Sequence, residues 1–284
     1  MTTHQFTDLQ RATLQQHFSK YARKHSPQAA LDQLHQWLTQ PDTHCVTVAH
    51  DRYPVLLRTL ADPPPVLYGL GHWQVFDKPA VAIVGARQGT PRAAEHAYRL
   101  ARDIASQGWC VVSGLARGID TAAHRGALAS GVPGSTIAVL GNGIDIVYPS
   151  HNAPLAREIV KVGGLLLSEF ALGSPPAAKH FPQRNRIVAG LARAAIVAQA
   201  KLRSGSMITA RLAADMGREV LAVPGLPGEA LSEGPHALIR QGAALIECAD
   251  DLWSAFGLCD QMSASNSSRK PHVIRKDHCP SSFR

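Results

Sequence analysis

Residues 81–120 read VAIVGARQGTPRAAEHAYRLARDIASQGWCVVSGLARGID, and the fold is decided there. An apolar run at 81–84 stops at Gly85, and a second run at 109–112 stops at Ser113-Gly114. Between them, 91–107 has a helical pattern. Thr90 is placed to cap it, Pro91 suits the first helical position, and Gly108 falls just past its end. Strand, glycine-rich loop, helix and strand make the unit of a parallel sheet. The alternation continues with strands expected at 137–140, 165–167, 195–198, 220–223 and 245–246, and helices at 121–130, 155–160 and 207–216. Strands apolar throughout are buried on both faces. The expected class is therefore α/β, a doubly wound and mostly parallel sheet.

The flanks differ from this core. Residues 1–70 are polar and rich in Gln and His, with Leu31, Leu34, His35 and Leu38 on one face of an amphipathic helix. Asp62-Pro63-Pro64-Pro65 breaks regular structure, and Val66-Leu67-Tyr68-Gly69 follows as a short apolar segment. This predicts a small helical N-terminal domain with an extended connector, ahead of an α/β domain over 71–256. Residues 257–284 include a Ser/Asn-rich stretch and a basic one, and read as a disordered tail.

The 284 residues are 45% hydrophobic and 18% charged, ordinary for a soluble domain with a sizeable core. The net charge of +8 favours an anionic partner such as nucleic acid. Five cysteines, none in a C-x-x-C, suggest neither a disulfide framework nor a zinc site. There is no secretory signal and no apolar run long enough for a bilayer, so a cytoplasmic protein without membrane contact is expected.

The informative residues lie just after the strands: Gly85-Ala86-Arg87-Gln88-Gly89-Thr90, Ser113 to Asp120, Gly141-Asn142-Gly143, Ser168-Glu169, Lys201 to Ser206, and Pro224-Gly225. In an open parallel sheet these loops line one edge, where ligands bind. Glycines let backbone amides approach an anion, and helix N-termini add partial positive charge. Arg87, Arg117, Lys201 and Arg203 would add formal charge, although Arg203 reads equally well as solvated. Lys179-His180-Phe181-Pro182-Gln183-Arg184-Asn185-Arg186 combines cations for phosphates with a ring able to stack a base. It reads alternatively as a core phenylalanine ahead of a helix with structural ion pairs. Arg184 and Arg186, two apart, cannot point the same way on a helix.

The sequence has no P-loop, no G-x-G-x-x-G, no H-E-x-x-H and no G-x-S-x-G. No cofactor, metal or catalytic group is expected. Asp120 and His124 share a helix face, but hydrogen bonding of the preceding glycine-rich loop is the favoured role for Asp120. Glu169 could act as a general base in a nucleotide-processing enzyme using the same loops, which is the alternative function.

In these motifs the sequence resembles the DNA-processing protein A (DprA/Smf) family. The series runs in order through Tyr53-Pro54, Val84-Gly85-Ala86-Arg87, Ser113-Gly114-Leu115-Ala116-Arg117-Gly118-Ile119-Asp120, Gly141-Asn142-Gly143-Ile144-Asp145 with Tyr148-Pro149, Phe181-Pro182-Gln183-Arg184-Asn185-Arg186, and Ser204-Gly205-Ser206 with Thr209. The resemblance implies an extended Rossmann-type fold and a non-catalytic protein that binds and protects single-stranded DNA. It further implies loading of the recombinase RecA in natural transformation (competence), and a homodimer formed through the α/β domain. By motif position, DNA contact falls to Arg87, Arg117, Lys179, Phe181, Arg184, Arg186 and the 204–206 loop of Ser204, Gly205 and Ser206. The same loops add Gly85, Thr90, Ser113, Gly114, Gly118, Asn142, Asn185, Lys201 and Thr209. Many members carry a C-terminal winged-helix domain; the roughly thirty residues after Trp253 are too few for one, which reads as a short form, either natural or the product of a truncated gene.

Overall fold

The computed structural model describes residues 6–21 and 26–258. Apart from Gly257 and Leu258, the expected tail lies outside the described residues. Helices α1 (Asp8–Tyr21) and α2 (Pro27–Leu38) come first, then strand β1 (Thr43–Thr47), the short helix α3 (Val55–Arg58) and β2 (Val66–Gly71). The α/β alternation follows as β3 (Ala80–Val84), α4 (Pro91–Ser106), β4 (Cys110–Ser113), α5 (Ile119–Ala129), β5 (Thr136–Val139), α6 (Ala153–Lys161) and β6 (Leu165–Ser168). It continues with α7 (His180–Leu191), β7 (Ala194–Val197), α8 (Gly205–Asp215), β8 (Glu219–Ala222), α9 (Glu233–Arg240), β9 (Ala244–Leu245) and α10 (Ala249–Ala255).

All strands join one nine-stranded sheet in the order β1-β2-β6-β5-β4-β3-β7-β8-β9. From β6 to β9 every pairing is parallel, as the apolar runs predict. Alternate residues serve opposite faces, the strand period of two. Val81 and Ile83 pack with α4 and α5, while Ala80, Ala82 and Val84 pack with α7 and α8. The chain runs outward from β3 through β4, β5 and β6, then returns to place β7 on the other side of β3. That reversal is the topological switch point, where a crevice opens beyond the strand carboxyl ends. The capping expected for α4 is present: Thr90 Oγ1 accepts from the Ala93 amide at 3.2 Å, with Pro91 at the first turn.

The N-terminal region differs from the expectation in one respect. The segment read as a connector is β2, antiparallel to β6 with Tyr68 opposite Ser168. β1, which the sequence did not announce, pairs antiparallel with β2. The sheet therefore crosses the boundary placed near residue 70. The two helices lie on these strands: Leu14, Phe18, Leu34, Trp37 and Leu38 pack on Val66 and Tyr68. Of the face read in α2, Leu34 and Leu38 are buried while His35 is exposed; Ala30 and Trp37 complete it. Among the described residues no helix is long and apolar enough to cross a membrane.

Candidate nucleic-acid interface

A cavity of about 1060 Å³ opens at the switch point. Its walls come from the ends of β3 and β4, the first half of α7 and the start of α8. Arg87, Arg184, Arg203 and Arg211 stand in this wall against the single carboxylate of Asp120. A second cavity, about 780 Å³, lies at the amino ends of the strands, where Arg52, Lys78 and Arg193 meet Asp51 and Asp77. Charge decides between the two: only the first presents a strong cationic excess to an anionic ligand.

One wall is aromatic. Phe181, in the first turn of α7, is partly exposed rather than core. The Arg87 guanidinium carbon lies 5.3 Å from its ring centroid, a cation–π contact. The Tyr148 ring lies 5.7 Å away at an interplanar angle of 37°, and Tyr148 is 45% exposed. Gly141 makes room for this ring, since a Cβ there would lie 2.9 Å from Phe181 Cδ1. Stacking of one base on such a platform contributes about 1–3 kcal/mol. Phe181→Ala is therefore expected to weaken single-strand binding roughly 5- to 150-fold, read by anisotropy of a labelled oligonucleotide.

The opposite wall supplies anion donors. The first-turn amides of α8 have no acceptor within the helix, and they carry the positive end of its dipole. Ser204, at the N-cap, makes no side-chain capping bond, and its buried Oγ has no hydrogen-bond partner. Asn185 Nδ2 donates to the Gly205 carbonyl at 3.1 Å, and Thr209 Oγ1 donates to the same oxygen at 3.2 Å. These bonds fix the α8 start against α7.

The loop between β4 and α5 behaves differently from the phosphate cradle its glycines suggested. Asp120 Oδ2 accepts from the Gly114 amide at 3.1 Å and the Ala116 amide at 3.4 Å. His124 Nε2 accepts from the Leu115 amide at 3.3 Å. Three amides are thus satisfied internally, which is the loop-supporting role expected for Asp120. The amides of Ala86 and Thr90 are likewise held, by the Gln199 carbonyl and side chain. The Gly114–Arg184 contact needs the glycine, because a Cβ would overlap the guanidinium. Gly118, at φ +75°, adopts a backbone region that favours glycine.

His124 is a neutral strut. Its Nδ1 lies 2.7 Å from Thr136 Oγ1, which itself donates to the Val111 carbonyl, so Nδ1 carries the proton and Nε2 accepts. Burial, and secondarily the charge of Arg184, lowers its pKa to about 3. An unfolded histidine protonates below about 6.5, so folded-state stability is lost as pH falls below that value. By pH 5 the loss from this residue reaches about 2 kcal/mol. His124→Gln is expected to flatten the decline in unfolding free energy between pH 7 and 5 by about that amount, measured by urea titration at each pH.

The two arginines expected on α7 diverge, as their spacing required. Arg184 lines the cavity but is only 5% exposed. It donates to the Val139 carbonyl. Burial lowers its pKa to about 10, with the Asp120 carboxylate opposing the shift. Arg186 is not part of the cavity wall: its Nη2 donates to Glu169 Oε2 at 2.6 Å, and its Nε lies 3.6 Å from Asp62 Oδ2. It ties β6 and the proline-rich segment to α7. Glu169 is 1% exposed and engaged in that pair, outside the cavity wall, so its geometry does not favour a general base there.

Of the other expected contacts, Gly85 and Ser206 line the cavity. Thr90 caps α4, and the buried Ser113 donates to the Ile83 carbonyl. Buried Asn142 donates to the Gly143 carbonyl. Arg117, Lys179 and Lys201 are exposed, and none lines the cavity. Sequence reasoning did not single out Tyr148 or Arg211 for the site. Tyr148 lay within a quoted motif, and only the fold brings it to Phe181. Among the described residues, no group of three or more His, Cys, Asp or Glu side chains gathers to hold a metal ion.

Comparison with known proteins agrees with this architecture. A sequence profile described as DNA recombination-mediator protein A matches residues 44–257. Protein Smf of Escherichia coli is 42% identical over 226 residues, covering 80% of this chain and 60% of that protein. DNA processing protein DprA of Streptococcus pneumoniae is 42% identical over 210 residues, 74% of this chain and 73% of that one. The X-ray structure of the pneumococcal protein superposes with a TM-score of 0.72 at 40% identity, over 78% of this chain and 77% of that chain. The structure of Helicobacter pylori DNA processing protein A, described for its unique single-stranded DNA binding mode, gives 0.67 at 32% identity, over 75% and 95%. The chain spans about three fifths of the Escherichia coli protein's length. With a doubly wound Rossmann-type sheet, the expected motif series in place and this profile across most of its length, the chain belongs to the DNA recombination-mediator protein A (DprA/Smf) family.

Proposed function

We propose that this chain binds single-stranded DNA without sequence preference, in the cavity at the sheet's switch point, and acts as a binding protein rather than an enzyme. The observation that carries this reading is the pairing of two walls in one cavity. On one side, Phe181 and Tyr148 offer rings on which any base can stack; on the other, α8 presents free amides beside arginines. A duplex hides its base faces in its own stack, so a wall that works by stacking selects single strands. Arg117, Lys179 and Lys201 then serve phosphates running past the cavity. Family membership supports the wider role: a cytoplasmic homodimer, joined through the α/β domain, that protects incoming strands and delivers them to RecA during transformation.

The test is fluorescence anisotropy with labelled single-stranded and duplex oligonucleotides across a salt series. Tighter single-strand binding with a steep salt dependence is expected. Arg87→Ala is expected to weaken binding for all sequences alike and to reduce the salt slope by about one. Equal affinity for single strand and duplex, or wild-type affinity in a folded Arg87→Ala/Phe181→Ala variant, would reject the reading.

A further inference from the structure

A third cavity, about 570 Å³, opens at the edge of the sheet opposite the switch-point crevice. It lies before the amino ends of β5 and β6, between the short helix Trp73–Asp77 and the turns that follow α5 and α6. Val75, Leu128, Val132 and Val162 line it, and Val162 is 38% exposed. Its ionisable groups are all basic: Lys78, Lys161 and His72, with no carboxylate among the lining residues. Lys161 is exposed, and its ammonium makes no ion pair or hydrogen bond among the described residues. Lys78 Nζ donates to the Pro133 carbonyl, which leaves two of its three N–H groups for a ligand.

What these walls can hold identifies the occupant. The amides of Val75, Gly131, Val132, Gly134, Val162 and Gly163 are all engaged by neighbouring groups. The C-terminal ends of α5 and α6 bring the negative end of their dipoles. A phosphate therefore finds no amide cradle of the kind a helix N-terminus offers. No phenylalanine, tyrosine or tryptophan lines the cavity, so a base finds no ring to stack on. A carboxylate next to a bulky apolar side chain does fit: the lysines meet the acid, and the valine and leucine walls cover the side chain. The ligand is also long, because the 780 Å³ cavity adjoins this one, with Gln74, Val75 and Lys78 lining both. In that second cavity Arg52 and Arg193 stand with Asp51 and Asp77, and Val55 is 72% exposed. Walls of both signs around an exposed apolar side chain suit a polypeptide, with its own donors and acceptors, better than a polyanion.

We propose that this amino-end groove docks an acidic segment of a partner protein, an extended peptide whose carboxylates flank a bulky apolar side chain. The apolar side chain enters beside Val162, and a flanking carboxylate meets Lys161 and Lys78. The groove and the switch-point cavity lie at opposite ends of the strands, so peptide and DNA bind together, and the groove stands or falls separately from the DNA reading.

The experiment is fluorescence anisotropy of the full chain with short labelled peptides, one alternating aspartate with leucine, one aspartate with serine and one lysine with leucine. Saturable binding of the aspartate–leucine peptide is expected, weakening as salt rises. The aspartate–serine peptide should bind about tenfold more weakly, and the lysine–leucine peptide not at all. Lys161→Glu, at an exposed position and verified as folded by circular dichroism, should weaken the first peptide about fivefold. Its oligo-dT affinity should match wild type, and oligo-dT should not displace the peptide. Peptide binding by a protein that fails to bind oligo-dT would support the groove while rejecting the DNA reading. Absence of saturable binding, or equal binding to a folded Lys161→Glu/Val162→Ser variant, would overturn the groove. So would displacement of the peptide by oligo-dT, which would put the peptide in the switch-point cavity. A loss of oligo-dT affinity in Lys161→Glu would overturn it too, by making this edge part of a nucleic-acid path.

Discussion

Arg186→Ala is expected to destabilise the fold by about 3–5 kcal/mol while leaving the affinity of the molecules that remain folded close to wild type. The reason is the partner left behind. Glu169 is 1% exposed at the end of β6, and Arg186 donates to it at 2.6 Å. A buried ion pair contributes little net stability when whole, because desolvation offsets attraction, but removing one member strands a charge in a poor medium. Burial already raises the Glu169 pKa, with the Arg186 charge opposing that shift. Without the guanidinium the folded-state pKa rises further. A carboxyl whose folded pKa is raised stabilises the protonated form at low pH and loses that contribution as pH rises through the folded value. The deficit of the variant should therefore be larger at pH 8 than at pH 5. Glu169→Gln in the Arg186→Ala background should recover part of it. Urea unfolding across pH measures stability, and anisotropy below the unfolding transition measures affinity. A folded, fully stable Arg186→Ala variant with lost DNA binding would instead place Arg186 on the ligand.

That contrast shows what a linear sequence carries and what it does not. The parallel core was legible because β3 to β7 are buried on both faces, so apolar runs between helical patterns and glycine turns mark them one by one. β1 was not, because Thr43-His44-Cys45-Val46-Thr47 is an edge strand with its middle residues only half buried. Its strand character comes from pairing with β2, a tertiary fact. The site was legible as a location, since loops following parallel strands must converge. Its internal division of labour was not. Spacing showed that Arg184 and Arg186 point different ways, but which faces the cavity depends on where Glu169 and Asp120 arrive. Likewise, glycines announce that a backbone comes close to something, not to what. In the 114–118 loop the amides of Gly114, Leu115 and Ala116 turn inward to Asp120 and His124, and the free donors belong to α8.

Asp120 is consequently the residue on which the shape of the site depends, and its replacement tests that directly. Asp120→Ala removes the acceptor for the Gly114 and Ala116 amides and the counter-charge to Arg184 in one step. Each orphaned buried amide costs about 1–3 kcal/mol unless water reaches it, and loss of the Asp120 charge leaves the buried Arg184 guanidinium without the field that opposes its desolvation. Asp120→Asn separates the two effects, because its amide oxygen can still accept while the charge is gone. It should fall between wild type and Asp120→Ala in urea unfolding. Pairing Asp120→Asn with Arg184→Met, which removes the stranded charge and keeps an unbranched apolar stem, should return stability above that of Asp120→Asn alone. Burial raises the Asp120 pKa even though Arg184 and the loop amides oppose it, so the buried carboxylate is held at a cost. That cost makes sense if Asp120 and Arg184 secure geometry rather than stability: Asp120 holds the Gly114 and Ala116 amides, while Arg184 packs against Gly114 and donates to the Val139 carbonyl, inside the cavity. If the double variant regains stability but loses oligonucleotide affinity, the pair is kept for the site. If it regains both, Arg184 is a packing element, and recognition rests on Arg87, Phe181 and the α8 N-terminus alone.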